Sequence, residues 1–491
     1  MDIKKKKVAV IGAGISGLSA AAYAAQQGHE VHVFEKSETP GGRARSFTTE
    51  NGYTFDMGPS WYWMPDIMEG FFSDFGSSTA DFFSLVRLDP QFEMVFENGS
   101  LELPDRMEAM AELFEACEAG AGRQFRKFME DAKYKYDAGM RDFVNKPCHS
   151  WSEFFSMKVI GSAFRLDLLS DYRSYVARYF KDPRLRSLME FPVIFLGAAP
   201  KDIPALYSLM NYGGYALGTQ YPIGGFYRLV SAMHEVALRE GVIFHFGSGV
   251  EAIHAAAGRV SHISAGGLDF HCDAVIASSD YHHTETLLKP EFRNYTEKYW
   301  ETRTFAPSCL IFYLGFRGRI EGLRHHTLFF ENDFDRHIDA IYGSARWPDK
   351  PLFYACCPSK TDPGVAPEGH ENVFLLMPVA TGLDPEPGLT EGYLNDMLAR
   401  LERHTGCSGL RERLDFVRSY SVSDFGSDYN AYGGNAYGLA NTLSQTAVLK
   451  PSLKNRKLGN LFYTGQLTVP GPGVPPSIIS GRIAAAELLK L

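Results

Sequence analysis

No run in the 491 residues approaches the about 18 to 20 uninterrupted apolar residues that a bilayer-spanning helix requires, so a membrane span is not expected. Cysteine is scarce: the seven residues Cys117, Cys148, Cys272, Cys309, Cys356, Cys357 and Cys407 are scattered, odd in number and free of C-x-x-C pairs. That pattern excludes a disulfide framework and zinc-ribbon spacing and fits reduced thiols in a cytosolic setting. Cys356-Cys357 sits in an apolar strand-like run and reads as two core thiols. Basic charge is not in excess either, with 49 Lys and Arg against 58 Asp and Glu and a net charge of −9, which argues against nucleic acid as a partner. No apolar signal region precedes the first strand, so secretion is not expected. Lys4 to Lys7 read as a solvated arm, and an acidic chain is poorly suited to purely electrostatic membrane binding. Internal repeats, low-complexity tracts, metal-ligand spacings and Ser-His-Asp or Cys-His constellations are all missing.

What the chain does have is glycine in two places. Near the start, the apolar run Val8 to Ile11 leads into Gly12-Ala13-Gly14-Ile15-Ser16-Gly17, an alanine-rich helical stretch closed by Gly28, and then Val31-His32-Val33-Phe34-Glu35. This strand–turn–helix–strand unit carries G-x-G-x-x-G. Gly12 permits the tight turn, Gly14 lets the backbone approach a pyrophosphate, and Gly17 lets helix and strand pack closely. Glu35 follows the last glycine by 18 positions, where it can accept hydrogen bonds from ribose hydroxyls. Gly41-Gly42-Arg43 adds another close backbone approach and a cation beside the phosphates. Near the end stand Tyr463-Thr464-Gly465-Gln466 and the stiff segment Pro470-Gly471-Pro472-Gly473-Val474-Pro475-Pro476-Ser477-Ile478.

The length prior gives about three domains. Helical patterning runs from about Arg106 to Leu209. Strand patterns lie at Val242–Phe246, Ala274–Ala277, Cys309–Phe316, Leu352–Cys356, Val373–Val379, Leu414–Ser421 and Gly459–Tyr463, and a last helix at Ile478–Leu489. The expected layout is interleaved. Residues 1–70, 220–290 and 455–491 build a nucleotide domain; residues 71–219 and 291–454 build a second domain, with a helical, membrane-contacting part at about 105–210.

Together with Thr54-Phe55-Asp56-Met57-Gly58-Pro59, Tyr221-Pro222-Ile223-Gly224-Gly225 and Ala277-Ser278-Ser279-Asp280, these motifs resemble the bacterial-type phytoene desaturase (carotenoid desaturase) family of the FAD-dependent amine oxidase superfamily, over essentially the whole chain. The resemblance implies an α/β fold: a Rossmann-like FAD-binding domain interleaved with a mixed-sheet substrate domain and a helical cap. It implies FAD held by Gly12, Gly14, Ser16, Gly17, Glu35, Lys36, Gly42, Arg43, Gly58, Pro59, Ser60, Val250, Gly465, Gln466, Gly473, Val474 and Ile478. Gln466 departs from the acidic residue that family members often carry there; its amide can still bond a ribityl hydroxyl. The N–H groups at the Ser477-Ile478 helix start would face the flavin carbonyl near N1.

The implied reaction is desaturation of a carotenoid, phytoene towards lycopene or a partly desaturated intermediate, by hydride transfer to flavin N5 and loss of the adjacent proton. Quinone or oxygen would take the electrons, and the enzyme would sit peripherally on the inner face of the cell membrane. A hydroxylated or C30 carotenoid, or isomerisation or saturation of a polyene, are alternatives in the same class; an amine oxidase and a flavin-free prenyl-lipid carrier are more distant ones. The hydride leaves an allylic position, so the neighbouring C–H becomes acidic and no strong base is demanded. Asp56 and Asp280 are the weak acid–base candidates; Asp56 reads equally as a turn-stabilising carboxylate and Asp280 more readily as a helix cap. The aromatics Trp61-Tyr62-Trp63, Phe71-Phe72, Phe191 to Leu196, Tyr207 to Tyr215 and Tyr429 to Tyr437 are core or tunnel wall.

Overall fold

The computed structural model describes residues 5–142, 144–150, 153, 167, 170–194 and 196–491. Lys4, Phe195 and the part of the 105–210 region between Trp151 and Leu169, apart from Glu153 and Asp167, therefore lie outside the described residues. Among the described residues no helix is long and apolar enough to cross a membrane.

Distant segments meet in one parallel sheet. Its strands lie in the order Leu461–Tyr463, Ala274–Ala277, Lys7–Ile11, Glu30–Phe34 and Ile243–His245, every neighbouring pair parallel. Val8, Val10, Val31, Val33 and Ala274 are buried, as befits strands covered on both faces. The helix Ile15–Gln26 packs against the C-terminal helix Val474–Glu487. Gly481 makes this crossing close, because a Cβ there would stand 2.4 Å from the Ser16 carbonyl oxygen. The meander Val250–Ala256, Arg259–Ala265 and Leu268–His271 forms a separate antiparallel sheet.

The second large sheet has seven strands, in the order Leu414–Tyr420, Ser308–Phe316, Glu371–Val379, Phe353–Cys356, His326–Phe329, Phe92–Phe96 and Gly99–Leu103. It is mixed: the pairing of His326–Phe329 with Phe92–Phe96 is parallel and the rest are antiparallel. Ser308–Phe316 is buried along its whole length, which explains its continuous apolar run. The hairpin Phe92–Leu103 joins this sheet across the chain, and nothing in its sequence was read as a strand pair. The helices Met107–Cys117, Ala121–Asp142, Tyr172–Ala177 and Pro183–Ile194 pack in the expected helical region. Cys356 and Cys357 are buried free thiols.

One boundary differs instructively. The last helix begins at Val474 rather than Ile478, because Pro475 and Pro476 fall in its first turn, where the missing N–H groups have no helical partner to lose.

Candidate flavin and substrate site

The glycine turns and the second sheet together enclose a cavity of about 560 Å³. Gly12, Gly14, Ser16, Glu35, Lys36, Gly42, Arg43, Gly58, Pro59, Val250, Gly465, Gln466, Gly473 and Val474 all line it. The second and third glycines of the fingerprint do different work. A Cβ on Gly14 would meet nothing within 4 Å, so that position faces open cavity, whereas one on Gly17 would lie 2.0 Å from the Gly12 carbonyl oxygen. Gly17 therefore acts by packing and is not on the cavity wall. Glu35 is held at the end of its strand by the N–H groups of Ala13 (2.8 Å) and Ser37 (2.9 Å), which its two carboxylate oxygens accept.

Two other residues expected at the cofactor lie off this cavity. Ile478 is 3% exposed and its carbonyl accepts from Ser19 Oγ at 2.7 Å, because the earlier helix start turns this residue into the helix–helix contact. Its place on the wall is taken by Val474 and Ser477. Ser60 does not line this cavity either; beyond Pro59 the chain turns it towards Tyr354, whose hydroxyl lies 3.0 Å from Ser60 Oγ.

The electrostatics call for an anion. Arg43 Nε is shielded from solvent and has no hydrogen-bond partner among the described residues, while Arg43 Nη2 donates to the Asn435 carbonyl at 3.3 Å and the guanidinium lies over the Tyr429 ring. Burial pulls its pKa down, opposed by Asp280. A guanidinium fenced in this way costs several kcal/mol unless an anion meets it, and a diphosphate in the cavity would do so. The Gln466 amide, turned so that both ends are satisfied, accepts from Arg43 Nη2 at 3.1 Å and donates to the Ala436 carbonyl at 3.3 Å. It braces the arginine, a task that an amide can perform and that the sequence did not suggest.

Both carboxylates singled out from sequence cap helices, but Asp280 Oδ2 is buried with no hydrogen-bond partner among the described residues. Asp56 lines neither this cavity nor the one beside it; it accepts from the N–H groups of Phe226 (2.6 Å) and Tyr227 (3.0 Å), capping the helix Tyr227–Arg239. Burial raises its pKa to about 6, those two N–H groups opposing the shift. Asp280 lies on the cavity wall but caps the helix Tyr281–Thr286 by accepting from His283 N at 3.2 Å, and burial raises its pKa.

A second cavity, of about 240 Å³, shares Gly58, Pro59, Leu376, Tyr437, Gly473 and Val474 with the first. Its remaining wall is almost wholly apolar: Trp61, Trp63, Phe191, Leu196, Ala198, Leu328, Phe330, Phe334, Ile338 and Ile341 among others. His337 also reaches it, but Leu352 N donates to its Nδ1 at 2.8 Å and its Nε2 donates to the Pro378 carbonyl at 2.8 Å, so the ring is neutral and spoken for. Burial holds its pKa down at about 4. The helix Phe334–Tyr342 and the residues Cys309, Leu376 and Phe425 were not read from sequence as wall; each looks like ordinary core, and only their convergence on an open space distinguishes them.

The family profile described as flavin containing amine oxidoreductase matches residues 15–489. A carotenoid 3,4-desaturase of Haloarcula japonica is 39% identical over 492 aligned positions, covering 100% of this chain and 99% of that protein. A zeta-carotene-forming phytoene desaturase of Myxococcus xanthus is 31% identical, covering 99% and 94%. The chain belongs to the carotenoid desaturase family of flavin-containing amine oxidoreductases. This family member is accordingly a flavin-dependent oxidoreductase. The cyclohexylamine oxidase of Brevibacterium oxydans has the same fold, with a TM-score of 0.62, 14% identity and 99% of each chain covered. The carotenoid desaturase family thus builds its site on an architecture also found in an amine oxidase, and the two-cavity arrangement is what its function must be argued from.

Proposed function

We propose that the chain desaturates a carotenoid with FAD in the 560 Å³ cavity and the polyene in the adjoining apolar one. The observation that carries this is the shared wall. Gly58, Pro59, Gly473 and Val474 border both spaces, so a ring system ending the first cavity and a chain threaded into the second would meet there. On this reading Arg43 neutralises the pyrophosphate, Gly14 admits it to the backbone, and Glu35 receives ribose hydroxyls. Residues 1–70, 220–290 and 455–491 act as the nucleotide domain. When bound, the flavin supplies a two-electron acceptor for hydride. The protein's own part is to orient an allylic C–H and to exclude water with Trp61, Trp63, Phe191 and their neighbours. The neighbouring proton needs no dedicated base, in keeping with both candidate carboxylates being helix caps.

Within the class, the higher identity with a 3,4-desaturase favours an already conjugated carotenoid saturated at its 3,4-bond as substrate. Phytoene is the second reading, supported by the Myxococcus relative and by the sequence motifs. The substrate's insolubility supports docking at a membrane surface, with a quinone or oxygen as electron acceptor. Expression in cells supplied with either carotenoid, followed by chromatography, separates the readings. A product with one further conjugated double bond at the chain end supports the first, and lycopene or its precursors from phytoene support the second. A yellow, flavin-loaded protein that leaves both unchanged would contradict the proposal.

A further inference from the structure

Behind the wall of the apolar cavity lies a cluster that desaturation does not use. His325 and His326 are 6% and 0% exposed, and Cys356, on the neighbouring strand, is 2% exposed. One ring nitrogen of each histidine and the Cys356 sulfur all lie within 4.8 Å of one another. Each imidazole has one nitrogen engaged: Nδ1 of His325 stands 2.7 Å from Thr361 Oγ1, and Nδ1 of His326 stands 2.6 Å from the Tyr354 hydroxyl. Among the described residues, Nε2 of both rings is buried with no hydrogen-bond partner. An orphaned nitrogen on each of two neighbouring buried imidazoles is an uncommon defect, since buried polar atoms are nearly always paired.

We propose that His325, His326 and Cys356 bind a zinc-class divalent transition-metal ion. The donor set, two imidazoles and one thiolate, suits such a borderline-soft ion. Both Nδ1–H groups can donate to hydroxyl oxygens, which leaves each lone pair on Nε2; metal-binding histidines are commonly oriented in this way. On binding, the Cys356 S–H bond breaks, a metal–sulfur bond forms, and one proton is released to solvent; nothing is oxidised or reduced. The Cys356 thiol, pushed up to about 12 by burial, stays protonated without the metal. The ion would serve as a clip. His326 stacks on Trp61 at 4.1 Å between ring centroids, and Tyr354 lies between His326 and Ser60. Trp61, Ser60 and Tyr354 all line the apolar cavity.

The test uses flavin-loaded protein from cells grown with added zinc, with metal and flavin measured on the same desalted samples. About one zinc ion per chain is expected, with an X-ray absorption shell of nitrogen at about 2.0 Å and one sulfur at about 2.3 Å. In Cys356→Ser, which barely changes side-chain size, zinc content should fall about tenfold or more and the sulfur shell should vanish, while flavin content stays unchanged. Protein with full flavin and less than about a tenth of an equivalent of zinc would overturn the site, as would a zinc shell containing no sulfur. Wild-type absorption spectroscopy decides the matter even if the variant fails to fold. Zinc-free protein that still converts carotenoid overturns the metal site alone; zinc-loaded, flavin-loaded protein that converts none overturns the proposed reaction alone.

Discussion

The two cavities that meet at Gly58, Pro59, Gly473 and Val474 are built by opposite means. The larger is a backbone construction. Its shape comes from glycine turns at the ends of parallel strands, and its one conspicuous side chain is an arginine short of partners. The smaller is a side-chain construction, walled by aromatic and aliphatic groups from a helix, a sheet and loops far apart in the chain. A nucleotide needs few atoms placed closely, and small residues at fixed spacing supply that. A polyene needs area, and area is assembled from whatever the fold brings together. Backbone sites tolerate no added carbon, whereas side-chain walls tolerate substitution and change in capacity.

The largest expected effects lie inside the fingerprint. Gly17→Ala should yield no folded protein, because its Cβ would stand 2.0 Å from the Gly12 carbonyl; circular dichroism and soluble yield check this. Gly14→Val should fold normally, since its extended backbone (φ −70°, ψ 175°) suits a β-branched residue and open space surrounds its Cβ. It should nevertheless be isolated colourless; a yellow Gly14→Val protein would remove the pyrophosphate from that spot.

Between these extremes lies a stability effect that touches neither cavity. The pKa of Asp56 is raised from 3.8 to about 6, so between those values the folded chain holds more protons than the unfolded one. Stability should therefore fall as pH rises through that window, by about 3 kcal/mol, and level off above it. Asp56→Asn should flatten this part of the denaturation profile relative to wild type and keep its flavin. A profile of unchanged slope would mean that Asp56 is not held in this way.

The smallest effect concerns the cation. Arg43→Met should keep the fold and weaken flavin binding by roughly 1.5 to 3 kcal/mol, the usual worth of a charge-assisted hydrogen bond. Flavin titration of the stripped protein measures it, and unaltered affinity would detach Arg43 from the phosphates.

What was legible in the sequence follows the same division. Gly12, Gly14, Gly17, Glu35, Arg43 and the Gly465–Val474 region could be read because each imposes a local backbone rule. The parallel sheet followed from apolar runs, and so did most of the second. Ser60 and Ile478 lie off the larger cavity because of two local facts the sequence does not show, the turn beyond Pro59 and a helix start four residues earlier. The Phe92–Leu103 hairpin and the Phe334–Tyr342 wall helix were missed altogether. Their apolar faces carry no mark that separates core from cavity. His325 and His326 passed unnoticed because they are sequence neighbours without metal-type spacing, and it is the strand Phe353–Cys356 beside them that brings Cys356 alongside.

On this reading the two cavities act as one site. Anaerobic mixing of flavin-loaded protein with a liposome-borne carotenoid tests it directly, with wild type compared against Ala198→Phe, whose ring would fill part of the apolar cavity. In wild type the flavin band should bleach while the carotenoid spectrum shifts to the red in equal amount. In Ala198→Phe, with full flavin content, both changes should slow about tenfold or more, in line with the cost of a displaced reacting group. Equal rates in the two proteins, or a wild-type flavin that an amine bleaches and no carotenoid does, would contradict it.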